Sequence, residues 1–156
     1  MELKDFVPSV IAAVGVAIAL VMAIKALLEY RKQGATKRSE IFIQMRTRLR
    51  QDERFKEICQ MLDEDHVELR EYSDIEKDRF IGFFEELAFL WNSKLINDDA
   101  VFYMFSYYAI RCDDSKHFWS EGFEKSDIFY SVFVDFVGRI KKLKSQHKFD
   151  PKRYRV

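Results

Sequence analysis

The chain has few of the residues that mark loops, linkers and disulfide frameworks. Its 156 residues include five glycines and two prolines, and no stretch is of low complexity. This composition excludes collagen-like, linker-like and largely disordered chains. The two cysteines, Cys59 and Cys112, are separated by 52 residues and are too few to form a disulfide framework. The length of the chain is that of a single domain.

The motifs of the common enzyme classes are also missing. The sequence contains no glycine-rich phosphate loop, no HExxH zinc motif, no paired-cysteine zinc spacing and no nucleophile elbow. These motifs place backbone amides, zinc ligands or an activated serine where the chemistry requires them. We therefore predict that the chain is not an enzyme and needs no cofactor.

The charged residues balance overall but are unevenly distributed. The 26 Lys and Arg residues equal the 26 Asp and Glu residues in number. Residues 1–38 nevertheless carry a net charge of +3, residues 39–138 carry −10, and residues 139–156 carry +7. An acidic central part is thus flanked by two basic segments.

A long uncharged run near the N-terminus predicts a membrane-spanning helix. From Phe6 to Ile24, 19 consecutive residues carry no charge, and the apolar character continues as far as Leu28. At about 1.5 Å per residue such a run covers roughly 28 Å or more, close to the thickness of a hydrocarbon core. It is too long for a cleaved signal peptide and no basic stretch precedes it. We predict an anchor helix over residues 6–30 after a short extracytoplasmic N-terminus, residues 1–5.

The basic residues that follow this run predict its orientation, because lysine and arginine are retained on the cytoplasmic side. We expect a single-pass protein of the inner (cytoplasmic) membrane, with its C-terminal domain in the cytoplasm. Both cysteines would then be reduced thiols without a redox or metal role. The basic residues that carry this prediction are Lys25, Arg31, Lys32, Lys37 and Arg38.

Small residues recur every four positions within the predicted anchor. Gly15, Ala19 and Ala23 form one ridge on a helix, and such a ridge allows two membrane helices to approach closely. The pattern favours a homo-oligomer that self-associates through this face.

The residues after the anchor predict an all-helical domain. The polar segment 31–38, which contains Gly34, is expected to be a linker. Apolar residues then recur at helical spacing from Ser39 to Gln51 and from Phe55 to Leu62. Since no strand-like alternation of useful length is found, residues 39–144 are predicted to form a four- to five-helix cytoplasmic bundle. The fold class is thus all-α.

A capping-box pattern predicts the central helix of this bundle. Ser73 and Glu76 have the spacing at which a serine hydroxyl and a glutamate carboxylate satisfy backbone N–H groups at a helix start. The helix should reach about Asn92, and its apolar sector covers more than half of the circumference, which indicates neighbours on two sides. Its inner line is Phe80, Phe84, Leu87 and Trp91.

Three more helices are predicted towards the C-terminus. Asn97 is expected to cap a helix that reaches about Arg111, and Ser126 is expected to cap the last helix. Between them, Ser115 to Phe123 is predicted to be a short amphipathic helix. The apolar stripe of the last helix is Phe129, Val132, Phe133, Phe136, Ile140 and Leu143.

Some apolar residues are expected on outer faces of the bundle. They form a candidate protein interface, because apolar side chains left on a surface mark contact sites when they are contiguous. These residues are Phe89, Tyr103, Tyr107 and Ile110.

Two helices of this region resemble a known family pattern. The first helix carries Phe83, Phe84, Glu85, Leu87 and Leu90, a loop from Leu95 to Asp99 follows, and the second helix carries Phe102, Phe105 and Ile110. The chain resembles a bacterial family of small, uncharacterised membrane-anchored proteins (a domain of unknown function). The resemblance implies one N-terminal transmembrane helix, a basic-rich connection and an all-helical cytoplasmic domain. It implies no chemistry.

Two groups of residues are candidate sites of chemistry. Glu85 and Glu86 are adjacent carboxylates beside an aromatic face and could act as acid and base. On a helix they diverge, so we interpret them as salt-bridge or hydrogen-bond partners of neighbouring helices. His66 lies among acidic residues that could supply metal ligands, but one histidine at a helix end is usually a solvated turn. No catalytic, metal or cofactor-binding residue is therefore assigned.

The basic tail over residues 145–156, with the end of the last helix, is the most prominent polar feature. Anionic lipid heads attract such a segment near a membrane. A solvated, mobile tail is slightly favoured over lipid contact, and nucleic-acid binding is the least favoured. The residues expected to contact anionic lipid are Lys141, Lys142, Lys144, Lys148, Lys152, Arg153 and Arg155.

These features together predict a membrane-anchored helical protein-interaction module, of scaffold or sensor type, which self-associates in the lipid bilayer and could also bind another protein. The alternative is a membrane effector of a bacterial defence or toxin-like system that acts by clustering of the span. An enzyme that uses Glu85 and Glu86 is the least favoured hypothesis.

Overall fold

The computed structural model describes residues 3–120 and 122–146, and within them the side chains of residues 14–120 and 122–146. In this part of the chain all regular structure is helical, with one isolated antiparallel bridge between Ser120 and Phe123. The all-α prediction is therefore confirmed. The chain divides into two units between Ser39 and Glu40.

The first unit consists of a single helix that continues into the second. Helix α1 runs without interruption from Leu3 to Gln51, so residues 31–38, expected to be a linker, are helical. Gly34 costs the helix about 1 kcal/mol relative to alanine, but residues 31–38 contain no proline and the residues that flank Gly34 are mostly good helix formers. Side chains 14–33 are all exposed.

The membrane prediction concerns this same helix. Among the residues that the structure describes, no helix is both long enough and apolar enough to cross a membrane. The predicted span begins at Phe6, and the side chains of residues 6–13 lie outside those described. Of the predicted extracytoplasmic segment, residues 1–5, residues 3–5 belong to α1, and the rest of the segment lies outside the described residues. The transmembrane anchor stays a prediction.

The next two helices begin at well-defined caps. Helix α2, Glu53–Glu64, begins after Asp52, whose carboxylate accepts hydrogen bonds from the N–H groups of Arg54 and Phe55. A 3₁₀ turn, Val67–Glu71, leads to helix α3, Asp74–Asn92. The predicted capping box is present, since the hydroxyl of Ser73 accepts from the N–H of Glu76 and the carboxylate of Glu76 accepts from the N–H of Ser73.

The last two helices begin in different ways. Helix α4, Asp98–Asp114, has Asn97 as its N-cap, as predicted. Helix α5, Ser131–Gln146, follows a short 3₁₀ turn, Ile128–Tyr130, that Asp127 caps. The predicted cap at Ser126 is therefore wrong, and the exposed side chain of Phe129 does not belong to the apolar stripe.

The predicted helix from Ser115 to Phe123 is also wrong. The hydroxyl of Ser115 accepts hydrogen bonds from the N–H groups of His117 and Phe118, and it donates to the carboxylate of Asp65 on the preceding part of the chain. Gly122 then adopts a positive φ of 85°. These bonds hold a turn and a bend in which the ring of Phe118 is buried.

Helix α3 is the centre of the core, as its broad apolar sector predicted. The rings of Phe80 and Phe83 each make edge-to-face contact with Phe84, with centroids 5.2 Å apart, and Phe80 meets Phe55 of α2 at 5.3 Å. Phe83 reaches α4 through Phe105 at 6.1 Å. Such geometry adds about 0.5–1.5 kcal/mol per pair to the burial of the rings. Further rings that complete this core are Phe118, Phe133 and Phe136.

Candidate functional site

The residues of the candidate protein interface lie on two helices. Phe89 of α3 is 60% exposed, and Tyr103 and Tyr107 of α4 are 63% and 51% exposed. Ile110 is half-buried and packs against the core. Along α4, Tyr103, Tyr107 and Ile110 follow one face, since they are four and three residues apart. The structure therefore places three of the four residues on one line and Phe89 on another helix.

Tyr107 has a fixed environment on that face. Its ring lies 5.0 Å from the ring of Tyr108 in edge-to-face geometry. The guanidinium of Arg111 lies 5.3 Å from the ring centroid of Tyr107 and donates a hydrogen bond of 3.2 Å to its hydroxyl oxygen. The exposed surface at this point is thus a positioned aromatic ring beside a cation.

The two glutamates weighed as an acid–base pair face different neighbours. Arg48 of α1 donates a hydrogen bond of 2.6 Å to the carboxylate of Glu86. Glu85 is half-buried, and its Oε1 has no hydrogen-bond partner among the described residues. Burial raises the pKa of Glu85, while the backbone N–H of Phe133 in α5 lowers it and the charge of Asp78 raises it. The two carboxylates belong to separate helix contacts.

His66 takes part in a turn. Its Nδ1 accepts a hydrogen bond of 3.4 Å from the N–H of Glu68, at the start of the 3₁₀ turn. The carboxylate of the neighbouring Asp65 accepts hydrogen bonds from the hydroxyl of Ser115 and from the N–H of Lys116. Within the described part of the chain, no three His, Cys, Asp or Glu side chains are grouped so that they could hold a metal ion.

Both cysteines are buried free thiols. Burial raises the pKa of Cys59 to about 12, with a smaller contribution from the charge of Asp63. Burial also raises the pKa of Cys112, and the charge of Asp113 adds to this effect. Both thiols are therefore protonated at neutral pH and are poor nucleophiles.

The small-residue ridge and the basic C-terminal residues are described in part. Gly15, Ala19 and Ala23 are exposed on α1. Lys141, Lys142 and Lys144 are exposed on α5, and Lys141 also donates hydrogen bonds to the carboxylates of Asp113 and Asp114. Their contact with anionic lipid stays a prediction. The other residues expected to contact lipid lie outside the described residues, namely Lys148, Lys152, Arg153 and Arg155.

The partners of Lys141 form a charged network that the sequence did not indicate. Asp113, at the end of α4, is only 9% exposed. Its Oδ2 lies 2.6 Å from the ammonium of Lys141, and its Oδ1 lies 3.0 Å from that of Lys125. Lys141 also meets Asp114 at 2.7 Å. These pairs tie α4 to α5 and to the segment between them.

A second buried charge belongs to Lys77 in α3, whose side chain is 1% exposed. Its ammonium donates a hydrogen bond of 3.4 Å to the hydroxyl of Ser120 and lies 5.5 Å from the ring centroid of Phe123. Its position, three residues before Phe80, places it on the inner side of the helix. That spacing is the sequence signal that could have identified it.

A groove lies between α1, α2 and α4, and we call it the α1–α2–α4 groove. Its volume is about 290 Å³. Each helix contributes residues that are three or four positions apart. Such residues lie on the same face of a helix, so one face of each helix lines the groove. The groove is lined by Arg46, Leu49, Arg50, Lys56, Cys59, Gln60, Met104, Phe105 and Tyr108.

The floor and the rim of this groove differ in character. Leu49, Cys59 and Phe105 are buried and form an apolar floor. Arg46 and Arg50 are exposed at the rim, as are Lys56 and Gln60, the other polar lining residues of α2. None of the described residues that line the groove carries a carboxylate. It is therefore a cationic rim above an apolar floor, inside a domain whose central residues carry a net negative charge.

Comparisons with known proteins add no relative. A scan against protein-family models matches no family, and searches of curated proteins and of solved structures find no match. The resemblance to a membrane-anchored bacterial family therefore stays a prediction from the residues quoted for it.

Proposed function

We propose that this chain is a membrane-anchored helical protein-interaction module, of scaffold or sensor type, that self-associates. The observation that carries the proposal is the surface of α1. Large apolar side chains in its described part are each more than half exposed, and leaving such a side chain in water costs about 1.5–3 kcal/mol relative to burial. They include Val14, Val16, Ile18, Leu20, Val21, Met22 and Ile24.

A lipid bilayer is the surrounding that best suits these side chains. They belong to the 19-residue uncharged run from Phe6 to Ile24, whose length fits a hydrocarbon core. Lys25, Arg31 and Lys32 follow the run, and their charge favours a cytoplasmic location for the rest of the chain. The ridge of Gly15, Ala19 and Ala23 supports close approach of a second copy within the bilayer.

Fractionation of cell membranes tests the anchor. The full chain is expected in the membrane pellet and to resist extraction with alkaline carbonate. A Leu20→Lys/Val21→Lys double variant should move to the soluble fraction, because each charge at the centre of a span costs about 2.5–3.5 kcal/mol. Gln33→Lys, which adds a charge beyond the apolar run, should remain in the pellet. A wild-type chain found in the soluble fraction would contradict the anchor.

The mass of the full chain in nanodiscs tests self-association. An oligomer is expected, and Ala19→Leu should reduce it to a monomer by separating the two ridges. Ala17→Leu adds the same bulk on another face of the helix and should leave the oligomer intact. A monomeric wild-type chain would contradict the self-association proposal.

The exposed ring of Phe89 supports a second contact in the other unit of the chain. If that ring meets a partner, Phe89→Ser should reduce crosslinking of the chain in membranes. Ile75→Ser is the matched control, because Ile75 lies on the same helix and is 80% exposed. Equal crosslinking by both variants and the wild type would remove Phe89 from the proposed interface.

A further inference from the structure

We propose that the α1–α2–α4 groove is a binding site for a phosphate-bearing ligand. The inference rests on residues 46–108 alone and goes beyond the proposed function, because it requires neither a membrane anchor nor self-association. Nothing in the motifs of the sequence points to it, since no phosphate-binding loop is present. The evidence is the convergence of cations from separate helices.

The cations of the rim come from two directions. Arg46 and Arg50 lie four residues apart on α1, so their side chains share one face. Lys56 reaches the groove from α2. Two guanidinium groups offer planar forks of donors that match the oxygens of a phosphate, and an ammonium adds a third positive charge. Three cations suit a doubly charged phosphate better than a singly charged carboxylate.

The two arginines at the rim differ from the other arginine on this segment. Arg48 is engaged by Glu86 at 2.6 Å and lies 5.6 Å from the ring centroid of Phe83. Arg46 and Arg50 line the groove, and no carboxylate is among its lining residues in the described part of the chain. Lys56 is held at 2.7 Å by Glu53, an exposed pair that exchanges readily in water. The charge at the rim is thus available to an anion.

The walls and the floor indicate what else the ligand carries. Tyr108 lines the groove. Burial raises the pKa of its hydroxyl, with smaller contributions from neighbouring charges that include Asp63, so the hydroxyl keeps its proton at neutral pH. Met104 and the buried ring of Phe105 provide apolar surface. A volume of about 290 Å³ is close to the lower end of small-molecule sites. The groove fits a phosphate group joined to a small apolar or planar group.

Such a phosphate can belong to a soluble molecule or to a lipid headgroup, and calorimetric titration separates the two sources. The full chain in nanodiscs of phosphatidylcholine is titrated with adenosine monophosphate, inorganic pyrophosphate and, as a phosphate-free control, adenosine. Saturable binding of the two phosphates and none of adenosine is expected for a soluble source. For a lipid source, nanodiscs that include phosphatidic acid should raise the unfolding temperature of the chain and abolish binding of the soluble probes.

Charge-matched variants decide whether the groove is responsible. Arg46→Gln/Arg50→Gln should weaken the affinity for the soluble phosphates by about tenfold or more. For a lipid source, the same variant should lose the rise in unfolding temperature that phosphatidic acid causes. Arg70→Gln/Lys116→Gln removes two positive charges from exposed positions outside the groove and should change affinity by less than about twofold. Equal losses in both pairs, or no effect of any phosphate in either kind of nanodisc, would overturn the proposal. The same titration applies to the chain in solution if the anchor proposal fails.

Discussion

The ammonium of Lys77 lies 5.5 Å from the ring centroid of Phe123, on a side chain that is 1% exposed. No carboxylate among the described residues is within salt-bridge distance of it, and the hydroxyl of Ser120 is its hydrogen-bond acceptor. Burial lowers the pKa of Lys77, and the charge of Asp74 offsets part of this lowering. A cation is thus held within the aromatic core by a ring and a hydroxyl.

Replacement of this lysine by an apolar side chain of similar length should stabilise the fold. Lys77→Met removes a buried charge and keeps most of the packing, so we expect the free energy of unfolding to rise by about 1 kcal/mol at neutral pH. Lys142→Met, at an exposed position of α5, should change it by less than about 0.5 kcal/mol. Urea denaturation of the two variants and the wild type measures both values. If Lys77→Met lowered the free energy of unfolding and Lys142→Met did not, the ammonium of Lys77 would contribute to stability and the prediction would be wrong.

The advantage of Lys77→Met should also depend on pH. The folded-state pKa of Lys77 is lower than its unfolded value of about 10.4. Between the two values the unfolded chain binds more protons, so the stability of the wild type relative to Lys77→Met rises with pH in that interval. The difference between the two proteins should be constant below the folded-state pKa and should narrow as the pH approaches about 10.4. Denaturation at a series of pH values checks this; a constant difference throughout would contradict the lowered pKa.

Glu85→Gln should stabilise the fold at neutral pH. The folded-state pKa of Glu85 is raised above its unfolded value of about 4.3, so its favourable contribution is present below that value and is lost as the pH rises through the folded-state pKa. We expect Glu85→Gln to exceed the wild type by about 0.5–1 kcal/mol at neutral pH and to equal it near pH 4. Glu86→Gln, which breaks the pair with Arg48, should instead lose up to about 1 kcal/mol. Thermal unfolding of both variants at the two pH values distinguishes these results.

Asp65→Ala should be among the more destabilising single changes in the described domain. The carboxylate of Asp65 accepts a hydrogen bond of 2.5 Å from the hydroxyl of Ser115 and one of 3.2 Å from the N–H of Lys116. The backbone of Asp65 has a positive φ of 50°, which aspartate and asparagine tolerate better than alanine does. We expect a loss of about 2–4 kcal/mol in urea denaturation. Asp65→Asn keeps one acceptor and should lose about half as much; equal stability of Asp65→Ala and the wild type would contradict this role.

The contribution of Asp65 should disappear in acid. Burial raises the pKa of Asp65, but hydrogen bonds from Ser115 and from the N–H groups of Lys116 and His117 together outweigh it, so the pKa is lowered. Its stabilising contribution is present above the unfolded value of about 3.9 and is lost as the pH falls through the lower folded-state pKa. The stability difference between wild type and Asp65→Asn should therefore shrink below about pH 3.9. A difference that grows in acid would exclude this cause.

Two adjacent lysines of α5 should differ in their effect on stability. Lys141→Gln breaks the contacts with Asp113 and Asp114 and leaves a buried carboxylate with fewer partners, so we expect a loss of about 1–2 kcal/mol. Lys142→Gln removes the same charge from an exposed neighbour and should lose less than about 0.5 kcal/mol. Thermal unfolding of the two variants measures the contrast. Equal effects would mean that the network around Asp113 does not stabilise the domain.

Helix starts that depend on nearby residues were predictable from the sequence. The capping box of Ser73 and Glu76 and the N-cap at Asn97 are formed within three residues of the helix that they open. The last helix was misjudged because Ser126, Asp127 and Ser131 are all suitable caps in a short stretch. Asp127 caps a 3₁₀ turn, and the α-helix begins at Ser131.

The candidate groove was beyond what the sequence could show. The spacing of Arg46 and Arg50 places them on one face of a helix, but it does not tell which helix lies opposite. Only the packing of α1 against α2 and α4 brings Lys56 and Tyr108 to the same space. Convergence of side chains from distant positions depends on helix packing, which has no local signature.

The sequence by itself determined the all-helical class, the central place of α3 and the outward apolar surface of α1. Each depends on the period of the α-helix and on caps within one turn. The tertiary structure decided the turn at Ser115, which Asp65 holds from 50 residues earlier in the chain, and the burial of Lys77 beside Phe123. Burial and long-range hydrogen bonds depend on which elements become neighbours, and that choice is made by the packing of the whole core.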